Sequence, residues 1–168
     1  LAAGCGSRMK SSKPKLLHEI ALLPIIEHVL ILCSKFCTRD NIHIVVNQIL
    51  LTEKIIQKYT SNIYLQTTPK GTGDATNIVC RNINNIKDIV LIIYGDTPFL
   101  TISDITSMIE KIILGNNLCI AGFYPKEKKG YGRLILDQQK SYVKKIVEEK
   151  EASEQQKNIF LCNAGIIA

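Results

Sequence analysis

Four short stretches hold the residue types that phosphate chemistry needs. The chain opens LAAGCGSRM, with Gly4, Gly6 and Ser7 ahead of Arg8, and then Lys10, Lys13 and Lys15. Glycines let backbone N–H groups approach an anion, and Arg and Lys add the charge that binds phosphate. Two familiar phosphate loops are excluded. Met9 stands where G-x-G-x-x-G requires glycine, and no G-K-S or G-K-T follows. The alternative is a plain turn with surface lysines; Arg8 and the Pro14–Lys15 pair shift the reading toward phosphate. The second stretch is YGDTPFL, where Asp96 closes an apolar run. An Asp at the end of a buried strand suits Mg²⁺ carrying phosphate oxygens, or it caps the turn at Thr97–Pro98. The third, QTTPKGTGDA, puts Gly71, Thr72 and Gly73 before a helix, to read a base edge, to bind an anion, or simply to start the helix. The fourth is NAG, Asn163–Gly165, near the last residue. His18, His28 and His43 are isolated, and no Ser-His-Asp or Cys-His arrangement can be drawn.

The elements that must position these loops alternate. Residues 42–46, 62–66, 88–96 and 118–124 are short Ile- and Val-rich runs that predict buried strands. Between them lie helical spacings. Pro24 suits the first turn of one helix, whose stripe is Ile25, Ile26, Val29, Leu30, Cys33 and Phe36. A second helix is expected near Thr52–Tyr59 and a third from about Gly73 toward Ile83. A fourth, capped by Thr101 or Ser103, buries Ile105, Met108, Ile109, Ile112 and Ile113. Strands alternating with helices predict an α/β fold with a mixed, mostly parallel sheet and helices on both faces. After Tyr124, YGRLILD, YVKKIVEE and IFLCNAGIIA predict a mixed or antiparallel part, and Glu148–Lys157 a solvated helix. No repeat or linker divides the 168 residues, so a single domain is expected. In such sheets ligands bind beyond the carboxyl ends of the strands, where these loops lie.

Composition narrows the classes. Twenty-one Lys and Arg against 15 Asp and Glu leave +6, but the lysines are scattered among acids. Aromatics are 6% of residues and Trp is absent, which argues against a nucleic-acid stacking surface. The six cysteines form no C-x-x-C, and their apolar settings suit reduced thiols in a cytoplasmic protein. Cys5 would meet loop N–H groups near Arg8 and Lys15, which favour thiolate, or it packs inward as a small side chain. No apolar run has membrane length, and neither nucleic acid nor membrane is an expected partner.

Taken together the motifs are more specific. The opening resembles the sugar-nucleotidyltransferase signature L-A-A-G-x-G-[ST]-R-M followed by P-K. GTGDA, YGDTPFL, GYGRLILD, IVEEKEASEQQKNI and NAGI follow in the order of one branch. That branch is the uridylyltransferase domain of bacterial bifunctional N-acetylglucosamine-1-phosphate uridyltransferase/glucosamine-1-phosphate acetyltransferases. The resemblance implies a Rossmann-like, MobA-like nucleotidyltransferase fold with Mg²⁺ as cofactor. It implies transfer of UMP from UTP to N-acetylglucosamine 1-phosphate, giving UDP-N-acetylglucosamine and pyrophosphate for the bacterial cell wall. It also implies roles. Leu1, Ala2, Ala3 and Gly4 hold the nucleotide, with Arg8 and Lys15 as catalytic cations on its phosphates. Gln66, Gly71 and Thr72 recognise uracil, Tyr94 and Gly95 line the nucleotide site, and Asp96 binds Mg²⁺. Gly132, Glu148 and Asn163 hold the sugar phosphate. Members carry an apolar strand before L-A-A-G. Beyond NAG, for which N-T-G is commoner, they carry a second Mg²⁺-binding Asn and a β-helix acetyltransferase domain. The resemblance therefore implies a chain truncated at both ends.

Overall fold

The computed structural model describes residues 1–168 other than Cys5, Ser7, Arg8, Pro69, residues 84–87 and Lys140. The chain divides into two compact units, Leu1–Ser107 and Met108–Ala168.

In the first unit a 3-10 turn, Lys15–Leu17, leads into the two-residue strands β1 (Glu19–Ile20) and β2 (Leu23–Pro24) and helix α1 (Ile25–Cys33). Strand β3 (His43–Val46), short helix α2 (Lys54–Gln57), strand β4 (Asn62–Leu65) and helix α3 (Thr72–Cys80) follow. Strand β4 lies parallel to β3, with His43 opposite Asn62 and Val46 opposite Leu65. The other side of β3 is taken by the opening residues. Ala2 bridges Val46 in parallel, and its N–H donates to Val45 O at 2.7 Å. Beyond them, Leu1 N donates to Ile93 O at 2.6 Å and Gly95 N to Leu1 O at 2.8 Å. The opening loop is thus held on both sides by backbone hydrogen bonds.

Alternation along β3 builds a core on each face. Ile44 and Val46 pack with Ala2, Ile26 and Leu30 on the α1 side. Val45 packs with Ala3 and Ala75 on the α3 side, where Ile78 and Val79 join them. A strand buried on both faces reads as a near-continuous apolar run, and β3 does so from Ile44 to Val46. Helices on both faces are as expected here.

Several expectations need correction. The apolar run 88–96 forms no regular strand. Leu1 pairs with it through one bond to Ile93 and one from Gly95, too few to make a regular ladder. The strands are not mostly parallel: β3 pairs parallel with β4 and Ala2 bridges Val46 in parallel, but the four-stranded sheet of the second unit is antiparallel. Helix α1 stops at Cys33, where Ser34 Oγ turns back to Leu30 O. Phe36 therefore lies in the following turn, and Leu32 is buried in the stripe instead. Helix α2 spans four residues of the expected eight, and α3 ends at Cys80, short of Ile83.

Helix α4 (Ile102–Ile113) starts at Thr101 rather than Ser103. Thr101 Oγ1 accepts from Asp104 N–H, while Asp104 Oδ2 accepts from Thr101 N–H at 2.8 Å, a reciprocal cap. Ile105 and Met108 are buried, but Ile113, past the edge of the stripe, is exposed.

The second unit holds strands β5 (Ile120–Phe123), β6 (Arg133–Leu136) and β7 (Val143–Val147), helix α5 (Glu154–Lys157) and strand β8 (Cys162–Ile167). The strands form one antiparallel sheet in the order β5–β8–β6–β7; β6, β7 and β8 follow the expectation for the residues after Tyr124, whereas β5, expected among the parallel strands, pairs antiparallel with β8. Leu134, Val147, Cys162 and Ile166 are buried. Of the helix expected over Glu148–Lys157, only α5 forms. Glu151 N–H closes a turn onto Glu148 O, and Ser153 and Gln156 set the helix start as a capping box. Among the described residues no helix is long and apolar enough to cross a membrane.

Candidate nucleotide site

The carboxyl ends of β4 and the opening segment, together with the Ile93–Gly95 stretch, surround a cavity of about 440 Å³ in the first unit. That volume is in the range of small-ligand pockets. Leu1, Ala2, Ala3 and Gly4 form one wall, with Gly6, Met9, Lys15 and Leu16 beside them. Gln66, Gly71, Thr72 and Ala75 form another, and Tyr94 and Asp96 a third. Gly95 is buried behind them, its Cα facing Ala2 and Leu16. Every described residue expected at the nucleotide therefore lines this cavity or, for Gly95, backs it. Arg8 and Cys5 lie outside the described residues. Met9, Leu16 and Ala75 join the lining without having been singled out.

The phosphate-like end is organised by Gly6 and the 3-10 turn. Gly6 has φ +59, and a Cβ there would stand 2.8 Å from Lys15 Cβ. Glycine thus lets the loop press against Lys15, whose Nζ lies 2.6 Å from Asp96 Oδ2. Both side chains are 37% exposed. Asp96 makes this pair instead of capping the next turn, which Thr97 Oγ1 closes onto Tyr94 O at 2.6 Å. Among the described residues Asp96 is the one carboxylate lining the cavity. No group of three metal-ligating side chains forms among those residues. Mg²⁺ is commonly held by one or two carboxylates together with substrate phosphates, so the residues present fit a metal that arrives with a nucleotide.

The other end is organised by α3. Gly71, with φ +98, is its N-cap and offers no side-chain cap, and Thr72 begins it at the cavity wall. Gln66 is 6% exposed, and its Nε2 donates to Asp74 Oδ2 at 2.7 Å and to Gly71 O at 3.3 Å. The part played by Asp74 was missed in the sequence. Its signal was an acid in the first helical turn after GTG.

The three residues expected at the sugar phosphate come together in the second unit. Asn163 N donates to Gly132 O at 2.8 Å, and Asn163 Oδ1 accepts from Gly165 N at 2.9 Å. Glu148 Oε1 lies 3.1 Å from the point where a Gly132 Cβ would stand. Antiparallel pairing of β6 with β7 and β8 brings these positions together across the sheet. Next to them Arg133, 1% exposed, meets Glu149 at 2.7 Å and donates to Tyr131 O.

A family model described as the MobA-like NTP transferase domain matches residues 1–157. The chain is 37% identical over 170 residues to the bifunctional protein GlmU of Bartonella bacilliformis, covering 100% of this chain and 37% of that protein. It is 38% identical over 168 residues to the bifunctional protein GlmU of Thermodesulfovibrio yellowstonii, covering 99% and 36%. The chain thus spans little more than a third of the length of these curated relatives. Among solved structures it is similar to the inositol-1-phosphate CTP transferase from T. maritima, with a TM-score of 0.71 at 12% identity over 99% of this chain and 66% of that one. Apo-UDP-glucose pyrophosphorylase gives 0.69 at 19% identity over 99% and 73%. At these identities the likeness is one of fold. With this cavity at the strand ends, a nucleotidyltransferase fold and a family match over most of its length, the chain belongs to the MobA-like NTP transferase family and within it is similar to GlmU.

Proposed function

We propose that the chain is the uridylyltransferase part of a cytoplasmic, GlmU-like enzyme, a single Rossmann-like nucleotidyltransferase domain. It transfers UMP from UTP to N-acetylglucosamine 1-phosphate and yields UDP-N-acetylglucosamine, a cell-wall precursor. The observation that carries this reading is the cavity itself, in which a loop with a cation and a carboxylate shares one space with a polar, amide-bearing wall.

The chemistry asks little of the protein in proton transfer. The second pKa of a phosphate monoester is about 6, so the sugar phosphate reaches the site largely as a dianion and needs no general base. One of its oxygens bonds to the α-phosphorus of UTP, and the bond from that phosphorus to the bridging oxygen of pyrophosphate breaks. What remains is in-line placement and offsetting the repulsion between two anions. Lys15 and Arg8 bind phosphate oxygens, Gly4 and Gly6 admit the chain of phosphates, and Asp96 would hold Mg²⁺, which would offset phosphate charge. Gln66, Gly71 and Thr72 hold the uracil. Gly132, Glu148 and Asn163 hold the acetamido sugar phosphate.

A second reading, transfer to another sugar phosphate or to a cofactor, is favoured by the breadth of the family match; a third is nucleotide binding without turnover. Pyrophosphate release measured with each of the four nucleoside triphosphates against several sugar phosphates separates them. Release confined to UTP with N-acetylglucosamine 1-phosphate supports the proposal. Release with another pair, or none while UTP still binds, overturns it.

A further inference from the structure

Gln66 is nearly buried, yet it faces the cavity. Its side chain has two different ends, an oxygen that accepts and an NH₂ that donates. Two acceptors stand against one end: Asp74 Oδ2 at 2.7 Å and Gly71 O at 3.3 Å. Turning the amide over would set its oxygen against both and leave a nearly buried group opposed by two acceptors, which is costly. The NH₂ is therefore committed to the protein, and among the described residues nothing donates to Oε1. Beside it, the backbone N–H groups of Thr72 and Gly73 at the start of α3 receive no side-chain cap.

We infer that Asp74 is a positioning residue that sets the base preference of this cavity by holding the Gln66 oxygen toward the ligand. The wall then offers an acceptor next to backbone donors. Uracil presents the complement, a donor at N3 and an acceptor at O4. Cytosine presents the reverse at the same two atoms, an acceptor at N3 and a donor at N4, so each contact becomes like against like. Discrimination of this kind is strong, because the wrong base leaves polar groups unpaired. The helix alone would not supply it, since an uncapped N-terminus favours any acceptor. Nor would Gln66 alone, since a free amide serves either base by rotating. The inference rests on the uridylyl reading above and names what enforces it.

The test is calorimetric binding of UTP and of CTP, each with Mg²⁺, to the wild-type chain and to Asp74→Ala, Asp74→Ser and Asp74→Asn. Serine is a good residue at a helix start but too short to reach the amide, so it covers the case in which alanine destabilises α3. Asparagine keeps the size but replaces an acceptor-only carboxylate by an amide that can also donate. The expected result is a wild-type preference for UTP that narrows about tenfold in the alanine and serine variants, mainly through weaker UTP binding, and also narrows in the asparagine variant, whose amide can meet either end of Gln66. A wild-type chain with no preference overturns the uracil assignment itself, and this inference with it. A wild-type preference that stays unchanged in alanine and serine overturns the role of Asp74 alone. Equal losses for UTP and CTP make Asp74 a charge at the helix start and not a positioning residue.

Discussion

Gly6→Ala tests how tightly the loop is built against Lys15. Two costs apply. At φ +59 an L-residue with a Cβ loses about 1 kcal/mol relative to glycine. The added atom would also stand 2.8 Å from Lys15 Cβ. That neighbour is the first carbon of the side chain, so it moves only with the backbone of Lys15–Leu17. Leu16, buried in the α1-side core, moves with it. Overpacking of this sort costs about 1–3 kcal/mol. The sum is about 2–4 kcal/mol, read as a lower midpoint in urea at unchanged slope. Gly4→Ala is the control in the same loop. Among the described residues no atom lies within 4 Å of its added Cβ, and its φ is not positive. Its stability should match wild type to within about 0.5 kcal/mol, helped if anything by a less flexible unfolded chain. If Gly6→Ala proves as stable as Gly4→Ala, the loop does not rest on Lys15 and the geometry assigned to the phosphate end is wrong.

Asp96→Asn should leave the urea midpoint within about 1 kcal/mol of wild type, since its pair with Lys15 is more than a third exposed. Mg²⁺-dependent pyrophosphate release should fall about 100-fold or more, and unchanged release would remove the metal role. Glu27 is buried in α1 and accepts from Tyr59 Oη at 2.8 Å and Lys58 Nζ at 3.1 Å. Burial pushes its carboxyl up, but these hydrogen bonds outweigh it and hold the group below its ordinary 4.5. Its contribution is therefore present above that value and is lost as pH falls through the lower, folded value. Urea midpoints at about pH 6 and about pH 3 should converge between wild type and Glu27→Gln at the acid end, and a constant gap would refute the ion pair. Burial and the neighbouring Cys37 push the Cys33 thiol up to about 11, whereas Cys80 is exposed. Mass spectrometry after brief iodoacetamide treatment of the folded chain should find Cys80 labelled and Cys33 spared; labelling of Cys33 at the rate of Cys80 would contradict the packing around α1.

The parts of the fold legible in the sequence were those with a local period. IHIVV and NIYLQ announce strands because both faces of β3 are covered, and α1 and α4 show their stripes. The run ending at Ile93 is as apolar as either strand, but a strand also needs a neighbour of matching length, and no local pattern reports the length of a neighbour. Ile113 and Phe36 failed as core positions for a related reason: each continues a stripe past the point where its helix ends or turns away. At the site, glycines and charges near strand ends pointed to the loops. The individual roles came from the resemblance, and the cavity gathers the described nucleotide residues. What stayed hidden were buried polar pairs between distant residues. Glu27 with Lys58 and Tyr59, and Lys15 with Asp96, have no spacing to betray them. Gln66 and Asp74 are only eight apart, yet their contact depends on how β4 passes into α3.

Ala2 and Ala3 are neighbours in sequence but belong to different interiors, one on the α1 side and one on the α3 side, and both also border the cavity. The floor of the cavity is therefore a partition one residue thick, with packed side chains behind each methyl group. Such a partition has no slack: a larger side chain at either position must push into a packed interior or into the cavity. Shape errors in the interior are transmitted to the ligand surface without an intervening cushion, because the same two residues serve both. Substitutions at Ile26, Leu30 or Val45, none of which lines the cavity, would then register as changes in how a ligand sits.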